Sequence, residues 1–198
     1  TNIEEGFEKG ELNAFIGVGI YTTPERRQDE YTPWPAPAIM SKTKAFGGEG
    51  EAYIRWIIEE LKPWIDENYR TLKEPESTWM MGYSLGGLIA VYSAYVTGCF
   101  GRIASVCGSL WYENFVEWSK NHQLKNPNVS FYVYYGEKEG GGKNKWLKEA
   151  VNAAKALVED MRERKGIAVE CGCDEGGHYH FIEARYEKAF RWLCQKKI

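Results

Sequence analysis

The chain has 198 residues, of which 43% are hydrophobic and 15% aromatic, and we expect one globular domain over residues 1–198. Its 25 basic and 28 acidic residues give a formal net charge of −3, which argues against a nucleic-acid-binding surface. No apolar run approaches the roughly 18 residues that a membrane-spanning helix requires, so we expect no membrane partner. Composition leaves the oligomeric state open.

The five cysteines are scattered along the chain, and their number is odd. This pattern is unlike the disulfide framework of a small secreted domain. It favours a reducing compartment, and we expect a cytoplasmic location.

The first predicted element is a buried strand, because "NAFIGVGIY" (Asn13–Tyr21) is a short, apolar, β-prone run. The next stretch, "TTPERRQDEYTPWPAPA", contains prolines that exclude regular structure and predicts a long excursion. Apolar residues then recur at helical spacing in "FGGEGEAYIRWIIEELKPWIDENY". This spacing predicts a helix that Pro63 kinks or restarts.

Strands and helices alternate through the rest of the chain. The predicted strands are "TWMMG", "RIASVCG", "VSFYVYYG" and "IAVEC". The predicted helices are "LGGLIAVYSAYVTG", "YENFVEWSKNH", "NKWLKEAVNAAKALVEDMRERKG" and "FIEARYEKAFRWLCQ". This alternation predicts an α/β fold, a three-layer sandwich in which helices cover both faces of a mostly parallel sheet.

A serine lies between two glycines where one predicted strand passes into a helix. Gly82, Ser84 and Gly86 fit the G-x-S-x-G elbow, which raises a nucleophilic hydroxyl above the carboxyl edge of the sheet. The helix that begins near Leu85 offers its unpaired N–H groups to a developing oxyanion, with the Leu85 N–H as one donor. A glycine-rich link without chemistry is the alternative. The strand before the serine and the helix after it favour the nucleophile.

The elbow is typical of α/β-hydrolases, which place their triad along the chain in the order serine, acid, histidine. Of the three histidines, His122 ends a polar helix and is most simply a solvated surface residue. His178 and His180 follow the last predicted strand, and two glycines give their loop conformational freedom. We favour His178 over His180 as the base, with packing of the loop as the alternative role for either.

The acid is expected after the strand "FYVYYG", where Glu137 and Glu139 both qualify. We prefer Glu139, because it lies beyond the tightest part of the turn. Asp174 is a third candidate that is better suited to capping a loop. The same loop offers Cys171, Cys173, His178 and His180 as metal ligands, but single-residue spacing within both pairs is unlike structural zinc sites.

These motifs together resemble the esterase family of α/β-hydrolases that includes enterochelin and bacillibactin trilactone esterases and esterase-D-like enzymes. The matching stretches cover nearly the whole chain in family order: "FIGVGI", "RQDEYTPW", "GYSLGGLIAVYSA", "FGRIASVCGSLWY", "YYGEKE" and "GGHYHFIEARYEKAFRWL". The resemblance implies a serine carboxylesterase that works through an acyl-enzyme. It implies Ser84 as nucleophile, His178 as base, Glu139 as acid, and Arg27 and Trp111 at the substrate cleft.

Two departures from the family pattern bear on this interpretation. Family members carry further strands before Phe15, with a loop that supplies the second oxyanion N–H, and we expect this chain to lack those first strands. The chain is then a fragment, or a minimal version whose second donor lies in the turn after Ile20. Some members of the siderophore-esterase branch work with a Ser–His dyad. The resemblance therefore determines the acid less firmly than it determines the nucleophile and the base.

Aromatic residues near the strand ends bear on the substrate. Tyr83 and several neighbours are candidates to stack on a planar aryl acyl group, such as a catecholate or cinnamoyl moiety: Tyr21, Tyr31, Trp34, Trp111, Tyr112. For any single one of them, packing in the core or in a loop is the favoured role. The leading hypothesis is hydrolysis of a small-molecule ester without metal or organic cofactor. The alternative is a non-catalytic or acyl-transferring relative that serves as a binding module.

Overall fold

The computed structural model describes residues 2–39, 43–140, 144 and 146–196. The N-terminal part holds two short helices and a small antiparallel hairpin: α1 (Asn2–Glu8), α2 (Pro24–Glu30), β1 (Pro35–Ala36) and β2 (Phe46–Gly47). Helix α2 contradicts the prediction that this proline-containing stretch has no regular structure. Pro24 occupies the first turn, where a missing N–H has no cost, and the Thr23 hydroxyl caps the Arg26 N–H.

The predicted strand at residues 13–21 is wrong. These residues, all of which the structure describes, lie outside any strand, and their large apolar side chains are partly exposed, Phe15 at 38% and Val18 at 44%. The segment is tied down at its start, where the Asn13 N–H donates to the Cys194 carbonyl. An apolar β-prone run becomes a strand only beside a pairing partner, and this segment has none among the described residues.

The long helix predicted around Pro63 is interrupted as expected. It consists of α3 (Gly50–Trp56), a π-helical turn (Ile57–Leu61) and α4 (Lys62–Asn68). Because Pro63 cannot donate a backbone hydrogen bond to the preceding turn, the helix widens just before it and restarts with the proline in its first turn.

The remaining elements alternate as predicted. A short 3₁₀ turn (Pro75–Ser77) leads into them, and another (Leu147–Glu149) precedes the helix that begins at Ala150. Their bounds are β3 (Trp79–Tyr83), α5 (Leu85–Val96), β4 (Arg102–Val106), α6 (Phe115–Lys120), β5 (Ser130–Gly136), α7 (Ala150–Glu163), β6 (Ala168–Asp174) and α8 (Ile182–Cys194). The four strands form one parallel sheet in the order β3-β4-β5-β6. All carboxyl ends therefore meet at one edge.

Helices cover both faces of this sheet. Phe131, Val133 and Tyr135 of β5 pack with α5 and α7 in the larger core, whereas Tyr132 and Tyr134 point to α8 on the opposite face. This alternation follows from the two-residue period of a strand and explains why β5 is buried on both faces. The architecture is the predicted three-layer α/β sandwich.

Helix α8 is fixed to the sheet by a buried arginine. Arg102, at the start of β4, donates to the carbonyls of Trp192, Leu193 and Gln195 at the C-terminal end of α8. These carbonyls lack intrahelical partners, so the guanidinium both satisfies them and complements the negative end of the helix. The N-terminal end of α8 is thereby held near the carboxyl edge of the sheet.

The outer edge of β3 is open. Among the described residues, no other strand pairs with it, and an open groove of about 1560 Å³ runs between this edge and residues 13–20. No helix within the described ranges is long and apolar enough to cross a bilayer.

Candidate active site

Ser84 occupies a strained position between the end of β3 and the start of α5. Its backbone has φ 61° and ψ −123°, a combination that residues other than glycine rarely adopt. The Ser84 carbonyl accepts hydrogen bonds from the N–H groups of Gly87, Leu88 and Ser109, at 2.9, 3.1 and 3.0 Å. The Ser84 N–H donates to the Val106 carbonyl at 3.1 Å. The surrounding backbone thus holds the serine in this conformation.

The two glycines of the elbow have different roles. A Cβ atom at Gly82 would lie 2.1 Å from the carbonyl oxygen of Gly86, so the strand and the helix approach too closely for any side chain there. A Cβ atom at Gly86 would meet nothing within 4 Å. Gly86 instead lines the groove, which leaves open space beside the helix N-terminus.

Ser84, His178 and Glu139 form one hydrogen-bonded chain. The Nε2 atom of His178 lies 3.1 Å from Ser84 Oγ, and its Nδ1 lies 2.9 Å from Glu139 Oε2. The other carboxylate oxygen of Glu139 accepts the Gly136 N–H at 2.9 Å. A proton on Nδ1 leaves Nε2 free to accept the serine proton, which is the tautomer that a general base requires.

The Glu139 carboxylate is almost enclosed, with a side chain only 4% exposed. Burial alone raises its pKa, but hydrogen bonds from His178, from the Cys107 thiol and from the Gly136 N–H outweigh burial and lower it. Glu139 therefore stays ionised beside the imidazole. Burial and the nearby Glu139 charge raise the pKa of Cys107 to about 12, so this residue is a neutral thiol beside the carboxylate.

The other candidate acids and bases make different contacts. Glu137 is exposed and accepts a weak hydrogen bond from the Cys173 thiol at 3.6 Å. Asp174 forms a bidentate ion pair with Arg185, and this contact lowers the pKa of Asp174 despite partial burial. The Nδ1 atom of His180 accepts the Gly177 N–H within its own loop.

His122 lies two residues beyond the end of α6 and stacks on Trp118, with ring centroids 4.0 Å apart. Of the residues weighed for the triad, the structure brings Ser84, His178 and Glu139 together.

The predicted substrate residues occupy different places. Arg27 and Tyr83 both line the groove, and the Arg27 guanidinium lies over the Tyr31 ring at 5.6 Å. Trp111 is half-buried against the larger core and is not among the groove-lining residues. Tyr112 is 2% exposed, and its hydroxyl donates to the Trp34 carbonyl, so the structure assigns this pair to packing.

Leu85 is the first residue of α5, and its N–H therefore has no acceptor within the helix. It points from the helix end that carries partial positive charge. Ile20, before the turn proposed for the second donor, lines the same groove as Gly86. Both oxyanion donors stay predictions.

Two residues at the site were not found from the sequence. Cys107 directly follows β4 with φ 48°, and Arg185 lies in the first turn of α8, completely buried. The ligand atoms of Cys107, Glu139 and His178 lie within 4.8 Å of one another, as in a metal site. A guanidinium nitrogen of Arg185 lies 2.8 Å from the Cys107 sulfur, and this positive charge opposes a cation there. The position of Cys107 at the end of the predicted strand "RIASVCG" is the sequence signal that could have identified it.

Comparison with known proteins identifies the family. The family model described as "Putative esterase" matches residues 1–188, and the chain belongs to this esterase family. This membership supports hydrolysis of ester substrates. An uncharacterized protein, YbbA of Bacillus subtilis, is 32% identical over 98% of this chain and 79% of its own length.

Two solved structures share the fold. An IroE-like serine hydrolase from Shewanella oneidensis aligns with a TM-score of 0.71 and 17% identity, over 85% of this chain and 57% of that one. The enterobactin esterase FES from Shigella flexneri, solved in the presence of enterobactin, aligns with a TM-score of 0.59 and 19% identity, over 71% of this chain and 36% of that one. These matches confirm the predicted α/β-hydrolase-like fold.

Proposed function

We propose that this chain is a serine carboxylic-ester hydrolase with Ser84 as nucleophile, His178 as general base and Glu139 as the acid that orients the base. The observation that carries the proposal is the continuous hydrogen-bonded chain from Ser84 Oγ through both ring nitrogens of His178 to a buried, ionised Glu139. A strained elbow, a correctly oriented imidazole and an enclosed carboxylate have no simple joint explanation in packing.

In the acylation half-reaction, His178 Nε2 takes the hydroxyl proton as Ser84 Oγ attacks the ester carbonyl carbon. The carbonyl oxygen becomes an oxyanion beside the N-terminus of α5, where the Leu85 N–H donates to it. The protonated His178, stabilised by Glu139, then gives its proton to the leaving alcohol as the C–O bond breaks. The alcohol departs, and Ser84 carries the acyl group.

Water completes the cycle by the same route. His178 takes a proton from water as the water oxygen attacks the acyl carbon, and the second tetrahedral intermediate collapses with the Ser84 oxygen as leaving group. His178 returns its proton to Ser84, and the carboxylic acid is released. Every proton in this cycle is handled by the imidazole.

The substrate class that we propose is an ester with an aryl acyl group. Tyr31, Tyr83 and Tyr186 line the same groove as Gly86, together with the cationic side chain of Arg27, and the groove adjoins Ser84 through Tyr83 without including the triad. Aromatic faces suit a planar acyl group, and a guanidinium suits phenolic or carboxylate oxygens on it. A structural neighbour named as an enterobactin esterase, also solved in the presence of 2,3-dihydroxy-N-benzoyl-serine, supports this class.

The experiment that tests the mechanism is intact-protein mass spectrometry after treatment with a fluorophosphonate. We expect one adduct on the wild-type protein and none on Ser84→Ala. The matched control is Ser77→Ala, an exposed serine, which is expected to be labelled like the wild type. Full esterase activity in a folded Ser84→Ala variant would overturn the proposal. Absence of an adduct on folded wild type would instead favour a binding module.

A further inference from the structure

Arg185 is a charged residue in an unusual place. It is 0% exposed, on the first turn of α8, between the carboxyl ends of the strands and the loop that carries His178. Its Nε and Nη2 atoms donate to both oxygens of Asp174, at 2.7 and 2.6 Å, and this hydrogen-bonded pairing raises the already high pKa of Arg185. A buried charge is tolerated only when it is paired in this way.

The chain leaves space for this guanidinium at two glycines. A Cβ atom at Gly136 or Gly176 would lie 2.5 or 2.9 Å from Arg185 Nη2. Asp174 is in turn held by the Gly176 N–H, which donates to its Oδ1 at 2.8 Å. The ends of β5 and β6 are therefore shaped around the arginine, and its position is fixed on several sides.

The remaining nitrogen of Arg185 makes two contacts that lead toward the triad. Nη1 donates to Tyr83 Oη at 3.2 Å and to Cys107 Sγ at 2.8 Å. The Tyr83 hydroxyl donates to the backbone carbonyl of His178. The Cys107 sulfur in turn lies within 4.8 Å of a Glu139 carboxylate oxygen and of a His178 ring nitrogen.

We infer that Arg185 is a positioning residue of the proposed active site, acting on the base through Tyr83 and on the acid through Cys107. This inference rests on the proposed function, since it concerns how His178 and Glu139 are held. The Tyr83 contact sets the height of the His178 backbone above β3. The Cys107 contact sets the place of the carboxylate that orients the imidazole. A single nitrogen atom, Nη1, thus fixes the position of His178 relative to Glu139.

The variant that tests the inference is Arg185→Lys. Lysine keeps the positive charge but lacks the planar guanidinium that binds Asp174, Tyr83 and Cys107 at the same time. A misplacement of about 1 Å at a reacting group costs on the order of 100-fold. We expect kcat/KM to fall roughly 10- to 100-fold, mainly through kcat, with KM within about twofold. The matched control is Arg164→Lys, at an arginine that likewise pairs with an aspartate but whose other partners are the carbonyls of Ser119 and His122, none of them in the site.

Two small substitutions test the Tyr83 contact and the Cys107 contact separately. Tyr83→Phe removes only the hydroxyl, and Cys107→Ala only the thiol. We expect each single substitution to lower kcat/KM. In the double variant Tyr83→Phe/Cys107→Ala both contacts are already lost, so we expect Arg185→Lys to lower kcat/KM by less than about a further twofold. The inference would be overturned if Arg185→Lys lowered kcat/KM equally in the wild type and in the double variant. Wild-type kcat/KM in both single variants would also overturn it. The single variants also decide the matter if Arg185→Lys fails to fold.

A spectroscopic readout separates this inference from the proposed function. The His178 Nδ1 proton, bonded to Glu139, is expected to give a far-downfield NMR signal in the wild type that is lost or broadened by exchange in Arg185→Lys and retained in Arg164→Lys. This signal does not depend on hydrolysis. An unchanged signal in a folded Arg185→Lys variant would overturn the positioning role, whereas full activity of Ser84→Ala would overturn the proposed function alone.

Discussion

A Cβ atom on Gly82 would lie 2.1 Å from the carbonyl oxygen of Gly86, across the turn that presents Ser84. The two backbones are in contact at this point, whereas Gly86 itself faces open space. Of these two glycines, Gly82 is therefore sterically constrained and Gly86 is not, and the difference is measurable.

We predict that Gly82→Ala destabilises the fold and that Gly86→Ala does not. The first substitution forces β3 and α5 apart, which should lower the free energy of unfolding by about 3 kcal/mol. The second adds a methyl group at a helical position with free space and should change stability by less than about 1 kcal/mol. Urea unfolding of both variants measures this. Equal stability of the two variants would contradict the close approach seen at Gly82.

Glu139 and Glu137 provide a matched pair for the acid. We predict that Glu139→Gln lowers kcat by about 10²- to 10⁴-fold, because an amide does not stabilise the imidazolium or hold its tautomer. Glu137→Gln should leave kcat within about twofold, since that side chain is exposed and, among the described residues, accepts one weak hydrogen bond, from Cys173. Steady-state kinetics on a chromogenic ester decide between them. A larger loss at Glu137 would transfer the proposed role to that residue.

The lowered pKa of Glu139 also predicts a pH dependence of stability. A carboxyl whose pKa is lower in the folded state stabilises the fold above its unfolded pKa, near 4.3, and this contribution is lost as the pH falls through the folded pKa. The wild-type free energy of unfolding should therefore fall on acidification below about pH 5. The fall should be smaller in Glu139→Gln. Identical pH profiles for the two proteins would argue against an ionised Glu139 in the folded state.

The cysteines should differ sharply in reactivity. Cys107 is 1% exposed and its pKa is raised to about 12, whereas Cys173 is exposed. The pKa of Cys173 is raised as well, by desolvation and by Glu137, so accessibility decides the contrast. At pH 8 we expect a maleimide to modify Cys173 in the folded protein and to reach the buried Cys107 only after unfolding. Peptide mapping after timed labelling measures this. Equal labelling of both thiols in the native protein would contradict the enclosed position of Cys107.

The groove predicts a preference among substrates. We expect a higher kcat/KM for esters of hydroxylated aryl acids than for esters of short alkyl acids. In Arg27→Ala we expect kcat/KM for the aryl esters to fall approximately tenfold. Arg26→Ala is the control, since Arg26 lies on the same helix but is exposed and paired with Glu30. Equal rates for both substrate classes in the wild type would remove the basis for an aryl-acyl substrate.

The sequence predicted the local features of the candidate site better than the distant ones. The elbow is readable because strand, glycines and helix are consecutive, and the approximate places of His178 and Glu139 follow from the convergence of parallel strands at one edge. The catalytic roles of these three residues stay predictions. Arg185 was not predicted, because its contacts join four separate segments whose relative positions depend on tertiary packing alone.

The fold shows the same limit. Alternating strands and helices predicted the four-stranded sheet correctly, because each strand has both a pattern and a neighbour. The run at residues 13–21 has the pattern of a strand but no neighbour among the described residues, and it remains exposed. The periodicity of apolar residues predicts which side chains are buried. It does not predict whether a neighbouring strand is available for hydrogen bonding.

The backbone of Ser84 implies that the native sequence is not the most stable sequence for this fold. A residue with a side chain held at φ 61° and ψ −123° costs on the order of 1–3 kcal/mol, and glycine at this position would release much of it. A search for thermostable variants that ignores activity should therefore select Ser84→Gly. Natural selection for the hydroxyl and laboratory selection for heat resistance would drive this one position in opposite directions.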